Sequence, residues 1–359
     1  MNKNIAPLSG IPLPELTQVL APLPRYRAVQ IVKWIAAGAA SFNEMENLPL
    51  NMRAELTERF PLRPPVTAEK HTGDDSSVKL ALQFSDGERI ESVLLADNAA
   101  RRTACLSTQA GCPAGCVFCK TGTCFSRNLD SSEMVEQFLL LNAIAKDACD
   151  NMVSNNAMKH PVANIVIMGM GEPLMNLAEL RRALDVIQCK EGLHFSLRRI
   201  TVSTCGIAEG IINLADNGPA VRLALSLCTG DEKLRQRLMP ITVNQPLNRV
   251  KEALSYFQNK GGGRITLESV LLGGINTRNQ DAAGIAQFAN GLDAVVNIIP
   301  WNPVNGLEFE GKALREPTAA EVESFKRQLE SLGLNVTRRF RRGRGISGAC
   351  GQLGVSNEE

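Results

Sequence analysis

The chain has 359 residues, 44% of them apolar and 21% charged, with a formal charge of +2. That length suits one large domain with an appendage, or two moderate domains. No apolar run approaches the roughly eighteen residues that cross a bilayer, and the proline-rich start from Met1 to Pro14 lacks the basic-then-apolar order of a signal peptide, so a cytoplasmic protein without membrane association is expected.

In that compartment the ten cysteines should be reduced, and clustered thiols read as metal ligands or redox catalysts rather than as a disulfide framework.

In chain order, residues from about Leu13 to Phe60 read as two or three short helices, with Val29, Val32, Trp34 and Ile35 as an apolar face. "PLRPP" breaks the pattern. Residues 66 to 98 then alternate like strands in "VKLALQF" and "ERIESVLL", joined by the hairpin signal "SDG". From Ala104 onward six apolar, β-rich runs alternate with helical patterns: "ACLS", "NIVIMG", "RITVST", "VRLALSL", "RITLESVLL" and "AVVNIIPW". The helices include one with Leu177, Leu180, Leu184 and Ile187 on a face. Another carries Val322, Phe325, Leu329 and Leu332 and opens with a capping box of Thr318 and Glu321. Six such units predict an α/β fold, a partial (β/α)6 barrel, with a doubly wound sheet as the other option. The expected parts are a helical accessory unit (1–64), a β-hairpin extension (65–103), the barrel (104–340) and a tail (341–359).

"CPAGCVFC" directly follows the first barrel strand, where the loops of such a barrel form its active face. Structural zinc wants four ligands, commonly from paired knuckles, and here there is one cluster of three: Cys112, Cys116 and Cys119. Cys124 could complete a zinc set. A cubane takes one thiolate per iron, so three would leave one iron open to a substrate.

That arrangement resembles the radical S-adenosylmethionine (SAM) superfamily, whose open iron chelates the cofactor's amino and carboxylate groups. Phe118 before the third cysteine fits the pattern. "CLSTQAGC", "GMGEPLMN", "STCG", "LALSL", "IPWNP" and "ACGQL" occur in the order found in the RlmN/Cfr adenosine methyltransferases, over about Tyr26 to Leu353. The resemblance implies a radical SAM barrel with one 4Fe-4S cluster, two molecules of SAM per turnover, and methylation of an adenosine ring carbon in 23S ribosomal RNA and tRNA. Carbon 2 is expected, with carbon 8 as the near alternative. Ring carbons 2 and 8 lack a lone pair or an acidic proton, which blocks polar methyl transfer and calls for a radical route.

In the family, one cofactor methylates a cysteine near the carboxyl end and a second yields the radical that activates that methyl group. By motif the methyl carrier is Cys350, on a glycine-flanked tail whose flexibility would let it swing into the barrel mouth. Cys105 matches the resolving cysteine, which leaves a disulfide that an electron-donating reductase system must reduce. Glu91 matches the glutamate that takes the ring proton, although a strand glutamate would ordinarily face solvent. Gly171 and Glu172 would hold the cofactor's amino group, and Ser203, Ser226 and Asn302 its other polar parts. Cys228 stands where the family usually has His, and Cys205 where Ser is usual. Cys124, Cys149 and Cys189 read as buried structural thiols.

The arginine run "RRFRRGR", from Arg338 to Arg344 with Phe340 inside it, suits phosphate and a stacked base, or is a solvated basic strand. Other classes compatible with the motifs are a radical oxidoreductase or activating enzyme, which needs no Cys350, and a non-catalytic iron–sulfur or zinc RNA-binding protein. A monomer is assumed.

Overall fold

Proline sets the start of each amino-terminal helix. Pro12, Pro24 and Pro49 precede α1 (Leu13–Val19), α2 (Arg25–Ala37) and α3 (Leu50–Arg59), where a fixed φ and a missing N–H cost little. The computed structural model describes residues 6–97, 101–148, 161–339 and 342–354 in full, and the backbone of 149 and 150. On α2 the buried face is Ala28, Ile31, Val32 and Ile35, whereas Val29 and Trp34 are only partly buried beside it.

Three antiparallel strands follow: β1 (Val66–Thr72), β2 (Val78–Phe84) and β3 (Arg89–Ala96). The expected hairpin is therefore a three-stranded meander. It is not a separate extension, because β3 pairs antiparallel with β4 (Arg102–Cys105) and so continues the main sheet. A small hairpin, β5 (Gln109–Gly111) with β6 (Phe125–Asn128), brackets the cysteine loop.

Parallel strands β7 (Asn164–Ile167), β8 (Ile200–Thr204), β9 (Arg222–Ser226), β10 (Ile265–Leu271) and β11 (Ala294–Pro300) come next. After a two-residue-stranded hairpin of β12 (Glu308–Phe309) and β13 (Lys312–Ala313), β14 (Val336–Arg338) adds a seventh parallel strand beyond the six expected. Helices α4 (Ser131–Asp150), α5 (Leu177–Gln188), α6 (Ala208–Asn217), α7 (Glu232–Leu238), α8 (Leu247–Asn259), α9 (Asn279–Ala289) and α10 (Ala319–Ser331) fill the crossovers.

The ten-stranded sheet runs β1-β2-β3-β4-β7-β8-β9-β10-β11-β14. Its parallel strands lie side by side in chain order, which is the winding of a barrel and not of a doubly wound sheet, where the order reverses at a switch point. Both end strands pair on one side only, so the barrel is partial.

Leu177, Leu180, Leu184 and Ile187 of α5 are all buried, while the α10 face stops at Leu329, since Leu332 follows the helix and is 49% exposed. The Thr318–Glu321 capping box closes as expected. The helical unit docks on α4 and α5: Ser131 Oγ donates to Gly10 O at 2.9 Å, and ion pairs join Arg63 to Glu136 and Arg182 to Glu15. Gly10 is required at this contact, because a Cβ would stand 2.3 Å from Ser132 N. Among the described residues no helix is long and apolar enough to cross a membrane.

Candidate active site

β4 ends on Cys105, and the chain beyond it is fixed before it reaches the cysteine loop. Leu106 N–H donates to Val166 O (3.0 Å), Ser107 N–H to Gln137 Oε1 (2.8 Å) and Thr108 N–H to Met170 O (2.8 Å). Hairpin β5–β6 then pinches the loop, with Cys112 N–H on Cys124 O at 2.7 Å. Gly111, at φ +77°, is demanded here, since a Cβ would lie 2.2 Å from that same carbonyl oxygen.

Cys112, Cys116 and Cys119 are half-buried and line one cavity with Gly171, Glu172, Ser203, Ser226, Cys228, Asn302 and Cys350. These residues come from the ends of successive strands, as a barrel-top site requires. Burial pushes the Cys112 thiol up to about 12 and the Cys116 and Cys119 thiols upward as well, so loading iron must expel protons. Among the described residues no group of three or more His, Cys, Asp or Glu side chains is gathered closely enough to hold a metal ion as it stands. Three thiols on a common wall, packed among Ala114, Phe118, Leu238, Met239 and Trp301, fit a cubane with one open iron.

The polar groups among these lining residues fit an amphipathic cofactor. Glu172 is buried, accepts Leu174 N–H (3.0 Å) on one oxygen and Cys205 N–H (2.7 Å) on the other, and has its carboxyl pushed up by burial. Ser203 and Ser226 hydroxyls stand 3.4 Å apart. Asn302 donates Nδ2–H to Cys350 O (3.0 Å), and its buried Oδ1 has no partner among the described residues, an acceptor open to a donor. Cys228 is buried at φ +61°, its thiol raised to about 11 by burial.

A second cavity opens beside the first and is lined by Leu95, Thr103, Cys105, Arg339, Arg342 and Cys350 among others. Cys350, Asn302 and Arg339 line both cavities. Burial, and then the nearby Cys350, pushes the Cys105 thiol up to about 12, while Arg339 pulls it down. All nine cysteines with described side chains, Cys105 and Cys350 included, are free thiols.

Glu91 is buried at 6% exposure and does not face solvent. Cross-strand partners share a face, and the pairs Lys79↔Val93, Val93↔Cys105 and Leu95↔Thr103 place Glu91 on the face of Lys79 and Cys105.

The tail is docked rather than free. Lys120 N–H donates to Gly351 O (2.9 Å), Thr121 Oγ1 to Leu353 O (2.5 Å), Gln352 Nε2 to Pro303 O (3.1 Å) and Gly354 N–H to Glu91 Oε2 (2.8 Å). Cys124 is exposed and Cys189 half-buried, so neither is the buried thiol expected. The side chain of Cys149 lies outside the described residues.

The arginine run is not a uniform surface. Arg338 pairs with Glu323 in solvent, whereas Arg339 turns inward onto Met168 Sδ (3.5 Å). Strand alternation was the signal for this, because consecutive residues at β14 point to opposite faces. Phe340 and Arg341 lie outside the described residues. Sequence reasoning also missed Glu268 and Arg235. Glu268 is buried in the first cavity and held by Asn297 Nδ2 (2.8 Å). Arg235, fully buried, donates to Cys205 O (2.5 Å), Leu227 O (3.2 Å) and Ser226 O (3.4 Å), stapling the ends of β8 and β9.

Residues 106–283 match the Radical SAM superfamily and residues 8–62 the ribosomal RNA large subunit methyltransferase N-terminal domain. A probable dual-specificity RNA methyltransferase RlmN of Treponema denticola is 45% identical, covering 97% of this chain and 95% of that protein. The Treponema pallidum protein of the same description is 42% identical over 97% of each. A crystal structure of a radical SAM methyltransferase from Sphaerobacter thermophilus superimposes with a TM-score of 0.88 at 36% identity, covering 97% of this chain and 98% of that one. Likeness of this degree along almost the whole length means that the chain belongs to the RlmN family of the radical SAM superfamily.

Proposed function

We propose that this chain methylates carbon 2 of an adenosine in 23S ribosomal RNA and in tRNA, with one 4Fe-4S cluster and two molecules of SAM per turnover. The observation that carries this reading is the place of Cys350, whose residue lines both the cavity of the three cysteines and the cavity of Cys105. A methyl carrier must reach a donor on one side and an acceptor on the other.

Held by Cys112, Cys116 and Cys119, the cluster would supply one-electron cleavage of the sulfonium cofactor. Glu172, Ser203, Ser226 and Asn302 hold the cofactor's polar parts. Gly171, at φ +108°, lets the backbone come close to it. The adenine enters the second cavity and meets the methyl carried by Cys350 Sγ. Glu91 accepts the ring proton when aromaticity is restored. The Cys105 thiolate then attacks the Cys350 sulfur: a sulfur–sulfur bond forms as the sulfur–carbon bond breaks, the released electron pair stays with the base, whose new carbon takes a proton to complete the methyl group, and an electron-donating reductase system restores the thiols.

The helical unit 1–64 and the outward arginines grip RNA, the strands of 65–103 extend the sheet under the second cavity, 104–340 forms the barrel, and the tail 341–359 carries Cys350. The protein works as a cytoplasmic monomer.

Anaerobic reconstitution with iron and sulfide, followed by assay on unmodified ribosomal RNA, tests the reading. Mass and chromatography of the released nucleosides should give 2-methyladenosine. The 8-methyl isomer would redirect the chemistry to the other ring carbon. Full turnover by Cys350→Ala would sink the methyl-carrier role and point to an oxidoreductase or activating enzyme.

A further inference from the structure

Both oxygens of Glu91 are engaged. Lys79 Nζ stands 2.7 Å from Oε1, in a pair whose side chains are 12% and 8% exposed. Gly354 N–H, four residues beyond Cys350, donates to Oε2 at 2.8 Å. Behind the carboxylate the backbone is anchored by hydrogen bonds. Glu91 N–H points at Met170 Sδ (3.2 Å), and Ser107 Oγ donates to Glu91 O (2.6 Å) while accepting Met170 N–H (2.8 Å). The carboxylate is thus tied on one side to the neighbouring strand and on the other to the tail.

We propose that Lys79 is the positioning residue of Glu91 and that the Gly354 amide masks the carboxylate while the tail is docked, so that Glu91 takes a proton only after the tail lets go. The proposal rests on the role given to Glu91 above and adds two features to it. A charge-assisted contact with the half-buried Lys79 ammonium fixes the carboxylate's direction. A charge-assisted bond to the tail amide occupies an acceptor site on Oε2 for which a ring proton would compete, and links base and methyl carrier in one segment. With the tail in place Cys350 is presented between the cavities and the base is closed. With the tail released Oε2 is open while Lys79 still holds Oε1.

Two measurements on the full chain separate this from a merely structural role. Hydrogen exchange, which needs no cofactor, should show the amides of 351–354 exchanging about ten-fold faster in Glu91→Ala than in the parent, the loss of one such bond. In single-turnover assays Lys79→Met should form 5′-deoxyadenosine at the parental rate, accumulate a covalent protein–RNA adduct, and release methylated base about ten-fold more slowly. Lys79→Arg should restore release at least half-way. Unchanged tail exchange in Glu91→Ala overturns the mask, and parental product release in Lys79→Met overturns the positioning role. A Lys79→Met protein that loses 5′-deoxyadenosine as well, with no rescue by Lys79→Arg, makes Lys79 a folding residue and equally overturns it. A parent chain that yields no 5′-deoxyadenosine defeats the reading of Glu91 as a base, while the exchange experiment still tests the mask.

Discussion

Gly171→Ala should cost the fold about 2–4 kcal/mol and loosen the cofactor site with it. At φ +108° an alanine adds on the order of 1 kcal/mol of backbone strain. Its Cβ would also stand 2.7 Å from Gln109 Cβ and from Thr108 Oγ1, and overpacking of that kind adds about 1–3 kcal/mol. Gln109 cannot simply yield, because its Oε1 accepts Glu172 N–H (2.8 Å) and its Nε2 donates to Asn128 Oδ1 (2.8 Å). Any shift there displaces Glu172. Gly38 isolates the strain, since it has φ +99° and a Cβ would meet nothing within 4 Å, so Gly38→Ala should lose only about 1 kcal/mol. Urea unfolding of both variants gives the difference. For a chain of this size a 3 kcal/mol loss also lowers Tm by roughly 4 °C. Equilibrium dialysis of labelled SAM against the reconstituted proteins gives the functional half. Equal losses in the two variants, or parental cofactor binding by Gly171→Ala, would refute the reasoning.

Cys105→Ala and Cys350→Ala should each abolish methylated base yet keep parental iron and sulfide content, whereas Ser at Cys112, Cys116 or Cys119 should remove the brown chromophore; metal analysis and absorption decide it. Because burial raises the Cys105 thiol to about 12, it is neutral near pH 7, and its thiolate fraction grows about ten-fold per pH unit below that value. Release of product from the adduct should therefore accelerate by about that factor per unit from pH 7 to 9, and Arg339→Met, which removes the cation pulling the thiol down, should slow it at each pH; a flat profile would exclude thiolate attack as the limiting step. Cys205→Ser should change cofactor affinity by less than about three-fold, under 0.7 kcal/mol, because the backbone amide at 205 holds Glu172; a larger loss would give the thiol itself a role.

Local pattern carried the barrel and the cluster loop. Strand runs separated by amphipathic helices have few ways to fold, and three cysteines on one short loop stay together whatever the rest of the chain does. The capping box at Thr318 and the buried face of α5 were legible for the same reason, since their partners are within a few residues. Glu91, Arg235, Glu268 and Arg339 were misread or missed because burial of a charge depends on what distant strands bring to it. Glu91 is held by Lys79 from the neighbouring strand and by Gly354, which is 263 residues away in sequence. The tail shows the difference most plainly. Its glycines permit many conformations, and long-range contacts, with Asp75, Lys120, Thr121, Asn302, Pro303, Glu316 and Glu91 among the described residues, select the docked one. Residue types and spacings thus decided which chemistry this chain can perform. Long-range packing decided which charges are dry, which thiols face one another and where Cys350 rests, because desolvation and hydrogen-bond geometry are properties of the assembled sheet and not of any segment of it.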